Sequence, residues 1–208
     1  GWSYTPPGLP DRTVTLEAAP EVLLVDGYSA GALWDYGIRP DGVFGYGFGE
    51  GELGIGDADV SQMTVVSEAA EFDLESAAAL DPDVIIGFGN EAVPAWQWWD
   101  EDVASKAGEI APFVPVKFNG PVDETIGAYA DLAAALGADT ESEQIVAERE
   151  RYEAGRERLA ELAEEKPDFR ILPVSADSVL YIGTPGLGQI GLLEGLGFPL
   201  RSQEPTPE

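Results

Sequence analysis

Apolar and polar positions follow two different periods along this chain, and each change of period marks an element. Over residues 73–80, Leu74, Ala77, Ala78 and Leu80 fall at helical spacing. Val84, Ile85 and Ile86 then form a short β-branched run suited to a strand covered on both faces. Pro82 separates the two, because the residue before a proline is pushed out of the helical region. This stretch is one αβ unit whose strand, over 84–88, opens onto a glycine-rich loop.

The same patterns predict an extended Pro/Gly-rich segment over 1–12, an edge strand over 13–16 and a buried strand over 21–25. Further strands are expected over 42–45 and 113–116, and a weak one over 64–66. Helices are expected over 30–36, 101–107 and 122–136, with Gly37 and Gly137 placed to stop two of them in the left-handed conformation. Residues 45–59 read as a glycine-rich acidic loop, and Trp96, Trp98 and Trp99 as a loop or short helix. Thr140 and Glu143 form a capping box for a helix running to Glu165 and ended by Pro167. About 25 residues at 1.5 Å each make that helix roughly 37 Å long. Strands over 169–174 and 179–182 and a helix over 189–196 follow.

Strands alternating with helices imply an α/β fold with a parallel sheet. The expected organisation is a four-stranded parallel lobe over 1–120, linking helices over 121–167, and an incomplete second α/β lobe over 168–208. The long helix joins the two.

Composition narrows the chemistry. At 208 residues and 44% hydrophobic content the chain is large enough for a packed core. Its 39 acidic residues against 11 basic ones, three of them lysine, give a formal charge of −28. Nucleic acids and anionic membrane surfaces are disfavoured, since both need clustered Lys and Arg. The acidity fits first a high-salt or acidic-proteome source whose proteins stay hydrated by charge, and second a surface that prefers cationic ligands or partners. With no cysteine and no histidine, disulfides, thiolate chemistry and Ser-His-Asp catalysis are excluded. No apolar run approaches the roughly 20 residues that span a bilayer, and the N-terminus lacks the form of a signal peptide. An exported protein would therefore be represented here by a trimmed form, its leader and any lipid anchor removed.

Gly186, Gly188 and Gly191 fit G-x-G-x-x-G between a strand and a helix, the context of a dinucleotide site, but no strand follows to carry an acidic ribose ligand. Gly49, Gly51 and Gly54 share the spacing, yet Glu50 and Glu52 beside them would repel a pyrophosphate. Asp57 and Asp59 with those glutamates lack the spacing of a calcium loop and read as solvated. Tyr28, Tyr46, Phe48, Phe88, Trp96, Trp98 and Trp99 all fall at or just after carboxyl ends of predicted strands, where open α/β sheets bind ligands. Three tryptophans within four residues cannot all point inward, so an exposed aromatic is expected there.

Asp73, Glu75, Leu80, Pro82, Asp83, Val84, Ile85 and Ile86 stand where one family carries D-x-E-x-(I/A)-x-x-L-x-P-D-(L/V)-I-(I/V). The chain resembles that family, the periplasmic or lipoprotein substrate-binding proteins of iron-siderophore, haem and vitamin B12 ABC importers. Leu192, Leu193, Glu194, Leu196 and Gly197 match its second-lobe Leu-Leu-Glu-x-Leu-Gly pattern. The resemblance implies a class III periplasmic-binding-protein fold, here truncated in the second lobe, an extracytoplasmic location and no catalysis. It also implies that one glutamate per lobe, Glu75 and Glu194, docks into arginine pockets of an ABC permease.

The expected function is capture of a ferric siderophore and its delivery to the permease, with no cofactor and no protein-bound metal. Arg39 and Lys117 are the basic residues expected near the rim, too few for an anionic catecholate complex. A neutral or cationic hydroxamate complex, held by the aromatic residues, Lys117 and Asn119, is expected instead. Alternatives are haem or a corrinoid, with Tyr28 or Tyr46 as an axial haem ligand, a nucleotide-dependent enzyme using Gly186 to Gly191, and an interaction domain that binds no small molecule.

Overall fold

The computed structural model describes residues 1–92, 95–168, 174–176, 180–182 and 186–199. The chain divides into two compact units, Gly1–Lys117 with Thr125–Thr140, and Phe118–Glu124 with Glu141–Glu208. The fold is α/β around a parallel sheet.

The first unit begins with an antiparallel pair, β1 (Trp2–Tyr4) and β2 (Val14–Leu16), which is separate from the main sheet. The segment over 1–12 therefore supplies a strand, and the expected edge strand pairs with it rather than with the parallel sheet. The main elements follow as β3 (Leu23–Asp26), α1 (Gly27–Asp35), β4 (Gly42–Phe44), β5 (Thr64–Val65), α2 (Leu74–Leu80), β6 (Val84–Gly89), α3 (Glu101–Ile110), β7 (Phe113–Lys117) and α4 (Val122–Ala135). Five strands, not four, form one parallel sheet in the order β5-β4-β3-β6-β7. The extra strand is the weak run over 64–66, which lies at the edge because Thr64 and Val65 pair only with Gly42 and Val43.

Period-two alternation divides the strands between two cores. Leu23, Val25, Val84, Ile86, Val114 and Val116 pack on one face with Leu33 of α1 and Ala128, Tyr129 and Leu132 of α4. Leu24, Phe44 and Ile85 pack on the other with Ala77 of α2, Ala107 of α3, Trp96 and Trp99. Burial on both faces explains why these strands read as unbroken apolar runs. The β1–β2 pair is seated on α4 through Trp2, whose Nε1–H donates to the Ala135 carbonyl at 2.7 Å.

Helix starts are set by acids. Asp26, Asp73 and Asp100 each accept backbone N–H groups in the first turn of α1, α2 and α3. The helix expected to begin at Ala30 therefore begins at Gly27. Asp81 closes α2 in the left-handed conformation (φ 53°), the position just before Pro82.

In the second unit, α5 (Glu143–Glu165) spans 23 residues. Its cap is Ser142, whose hydroxyl accepts the Ile145 N–H, so Thr140 is not the cap and Glu143 is the first helical residue rather than its partner. Arg156 of α5 pairs with Asp123 at 3.3 Å. Strands β8 (Val174–Ala176) and β9 (Leu180–Ile182) pair antiparallel, and α6 (Gly188–Gly195) follows. Residues 169–173 and 179 of the two expected strands lie outside the described residues. Among the described residues, no helix is long and apolar enough to cross a membrane.

Asp83 joins the starts of β3 and β6. Its carboxylate accepts the N–H groups of Val22 (2.9 Å) and Glu21 (2.8 Å), which hold its pKa below the ordinary 3.8. Asp83→Ala is expected to lower stability at pH 7 by on the order of 1 kcal/mol, read by chemical denaturation. The depressed pKa makes this contribution present above the unfolded value of 3.8 and lost as pH falls through the folded value. The difference between parent and variant should therefore shrink below pH 3.8.

Candidate functional site

At the carboxyl ends of β3, β4 and β6 stands one buried acid, Asp26, which no solvent reaches. Its Oδ1 accepts the Ser29 N–H at 2.8 Å and so caps α1. Its Oδ2 accepts the Phe88 N–H at 2.9 Å, tying the end of β3 to the end of β6, and the Trp96 Nε1–H at 2.9 Å. Burial pushes the Asp26 pKa up, and the donors from Ser29, Phe88 and Trp96 offset this only in part. Sequence reading missed this residue. Its signal was an acid closing a buried apolar strand immediately before Gly-Tyr-Ser, which is a cap position.

Trp96 is fully buried. Two glycines make room for it, because a Cβ on Gly45 would lie 2.6 Å from its Cζ2 and one on Gly87 would lie 2.8 Å from its Cδ1. Its indole meets Phe44 edge-on at 5.2 Å between ring centres, and Tyr46 stacks on it at 5.9 Å. Trp98 tilts against it at 4.9 Å. Trp98 is 40% exposed and so is the outward member of the tryptophan group. Tyr28 and Phe88 stack at 5.3 Å, and Phe88 reaches Trp98 at 6.5 Å. Tyr28, Tyr46, Phe88 and Trp98 thus form one aromatic rim over a buried indole.

The other expected site residues are placed differently. Trp99 is core, 9% exposed, packed on Phe44, Phe72 and Phe113, so it does not face the rim. Trp96 lies beneath the rim and not on it. Phe48 is half-buried over the first turn of α1, beside Gly27. Lys117, at the end of β7, pairs with Glu91 at 3.2 Å. Asn119 is exposed and belongs to the second unit. Arg39 precedes β4 and so lies at the opposite, amino-terminal edge of the sheet. Its guanidinium stacks 3.9 Å over Trp34 and donates to the Trp34 and Ile38 carbonyls near the end of α1, where the helix dipole favours a cation.

The acidic loop is stapled rather than merely solvated. One oxygen of Glu52 accepts the N–H groups of Gly47 (2.6 Å) and Gly49 (3.1 Å). Burial, then the nearby Glu52 and Asp26, push the Tyr28 hydroxyl pKa above 10.0. Leu53, at the loop tip, is 91% exposed and was not singled out from sequence.

Glu75 is exposed in the first turn of α2, where its N–H donates to Asp73. Glu194 of α6 is half-buried, and its Oε2 accepts the Gly186 N–H at 2.6 Å. That carboxylate occupies the first backbone donor of the Gly186 to Gly191 turn, a donor that a pyrophosphate would need. A cavity of about 760 Å³ lies apart from the rim, against Arg12, Val14, Ile85, Ala104, Ser105 and Phe113. Among the described residues, no group of three or more acids is placed to hold a metal.

No family model matches the chain, and no curated protein matches it in sequence. Solved structures do. The ferric-siderophore receptor DesE of Streptomyces coelicolor superposes with a TM-score of 0.88 at 26% identity, over 98% of this chain and 70% of that one. The iron-uptake ABC transporter substrate-binding protein PiuA of Streptococcus pneumoniae gives 0.70 at 20% identity, over 98% and 68%. The triscatecholate siderophore binding protein FeuA of Bacillus subtilis gives 0.63 at 15% identity, over 96% of this chain and 64% of its own length.

Gly45→Ala tests the seat of Trp96, since the added Cβ meets the ring and the backbone there is left-handed (φ 85°). The expected result is a loss of about 1–3 kcal/mol in stability with a changed near-UV circular dichroism of the indoles.

Proposed function

We propose that this chain, whose structural neighbours are the siderophore and iron-uptake binding proteins of ABC importers, captures a ferric siderophore outside the cytoplasmic membrane and hands it to an importer permease. The observation that carries this reading is the rim of Tyr28, Tyr46, Phe88 and Trp98 at the carboxyl edge of the parallel sheet. Flat aromatic faces suit the large, partly apolar surface of a chelate whose own oxygens wrap the iron. The protein then needs no His or Cys to hold the metal, and no reaction is catalysed.

Charge narrows the ligand. A ferric tris-catecholate is strongly anionic and calls for several cations, as FeuA's triscatecholate ligand would. Here Lys117 is committed to Glu91, Arg39 stands at the other edge, and Asp26 and Glu52 lie beneath and beside the rim. These residues favour a neutral or cationic ferric hydroxamate.

The alternatives fit less well. A tyrosinate ligand to haem iron requires Tyr28 to lose its proton, which burial and the nearby carboxylates oppose. For Tyr46 the ring is engaged by Trp96 and Trp98, so ligation would disturb that stack. A nucleotide at Gly186 to Gly191 would have to displace Glu194.

Permease docking falls to Glu75 and Glu194. Glu75 is the more accessible, whereas an arginine reaching Glu194 must compete with the Gly186 N–H.

Tryptophan fluorescence titrated with ferric hydroxamates, ferric catecholates, haemin and cobalamin tests the ligand class. Saturable quenching by a hydroxamate complex, weakened about tenfold or more in Trp98→Ala, is expected. Tighter binding of a catecholate than of any hydroxamate would overturn the hydroxamate assignment, and no saturation by any of the four would overturn the binding reading. Glu75→Ala should leave that titration unchanged and abolish ligand-loaded association with the reconstituted permease.

A further inference from the structure

Trp96 is seated at unusual cost. A buried carboxylate without a cationic partner loses hydration worth several kcal/mol. Among the described residues, no basic side chain pairs with Asp26. Capping α1 does not explain the carboxyl group, because Asn or Ser caps a helix as well as Asp. A carboxylate is needed for the other oxygen, Oδ2, which accepts two N–H groups, from Phe88 and Trp96, at 2.9 Å each. An asparagine that kept its oxygen on the Ser29 N–H would point an NH₂ group at two donors.

Gly45 and Gly87 add to that cost, since each lacks a Cβ where one would strike the Trp96 ring. A phenylalanine packed among Phe44 and its neighbours would fill much of the core without a buried acid to anchor it. The distinctive property of Trp96 is that its N–H fixes the rotation of a ring on which Tyr46 and Trp98 rest.

We propose that Asp26 is a positioning residue for ligand binding: through the Trp96 indole N–H it fixes the plane of that ring, and with it the orientation of Tyr46 and Trp98 on the rim. This rests on the reading of the rim as the ligand surface. Asp26 touches no ligand itself. Its effect passes through one hydrogen bond and two ring contacts, and the Phe88 N–H on the same oxygen ties the third rim residue to the same point. Pre-organised rings bind more tightly than mobile ones because less rotamer freedom is lost on binding. The carboxylate thereby contributes to affinity and selectivity rather than only to folding.

The test uses the full chain with Asp26→Asn, Trp96→Phe and the double variant. Three measurements are made: thermal unfolding, acrylamide quenching of tryptophan fluorescence, and the Kd for a ferric trihydroxamate. Each single variant should raise Kd about tenfold. The double variant should be no worse than the weaker-binding single, because both remove the same hydrogen bond. Quenching should rise in Asp26→Asn with far-UV circular dichroism unchanged, as Trp98 loosens. A lowered melting temperature with unchanged Kd and quenching in folded variants would show a purely structural role and overturn the proposal. Additive losses in the double variant would overturn it too. Should Asp26→Asn fail to fold, Trp96→Phe decides alone: an unchanged Kd in it sinks the idea. Should the parent bind no trihydroxamate, the ligand reading fails separately, and quenching in Asp26→Asn still decides whether Asp26 holds the rim.

Discussion

The first unit is organised around one buried carboxyl group. Asp26 ends the central strand β3, starts α1, receives a backbone N–H of β6 and holds the indole of Trp96. Such a group is tolerated only because every oxygen is met by donors, and those donors come from three separate segments of chain. Loss of this side chain would leave the N–H groups of Ser29, Phe88 and Trp96 unpaired at once. The carboxyl edge of the sheet is therefore fixed as a unit.

From that point the rim is built by close approach. Gly45 and Gly87 let an indole lie against the strand ends, and Glu52 folds the glycine-rich loop over itself by accepting two of its N–H groups. The exposed rings gain their positions from buried neighbours, not from their own contacts with solvent. Two acids placed for structural reasons, Asp26 beneath the rim and Glu52 in the loop beside it, lie close to these rings.

Much of this was legible from residue order. The two-faced burial of residues 84–86 followed from their β-branched run, and the stops at Gly37 and Gly137 followed from their positions at helix ends. The family resemblance rested on Asp83 and its neighbours, and the structure gives that acid a reason, since it splices two strand starts. Other expectations depended on partners that lie far away in sequence. The run over 13–16 found its partner in a segment expected to be merely extended, and Thr64 and Val65 joined the sheet because β4 offered an unpaired edge. Ser142 capped α5 in place of Thr140, a shift of two residues that local pattern alone does not resolve.

The sequence by itself determined the fold class, the exclusion of histidine and cysteine chemistry, and the gathering of aromatic residues at strand ends, because these depend on periodicity and composition. Which aromatic faces outward was decided only by the tertiary structure. Trp96, Trp98 and Trp99 are neighbours in sequence, yet one is bound to a buried acid 70 residues away, one is 40% exposed and one is packed among phenylalanines. The same holds for Lys117 and Arg39, alike in charge but set at opposite edges of the sheet, one paired with Glu91 and the other stacked on Trp34. Burial, hydrogen-bond partners and local field come from contacts between distant segments, and spacing along the chain carries none of them.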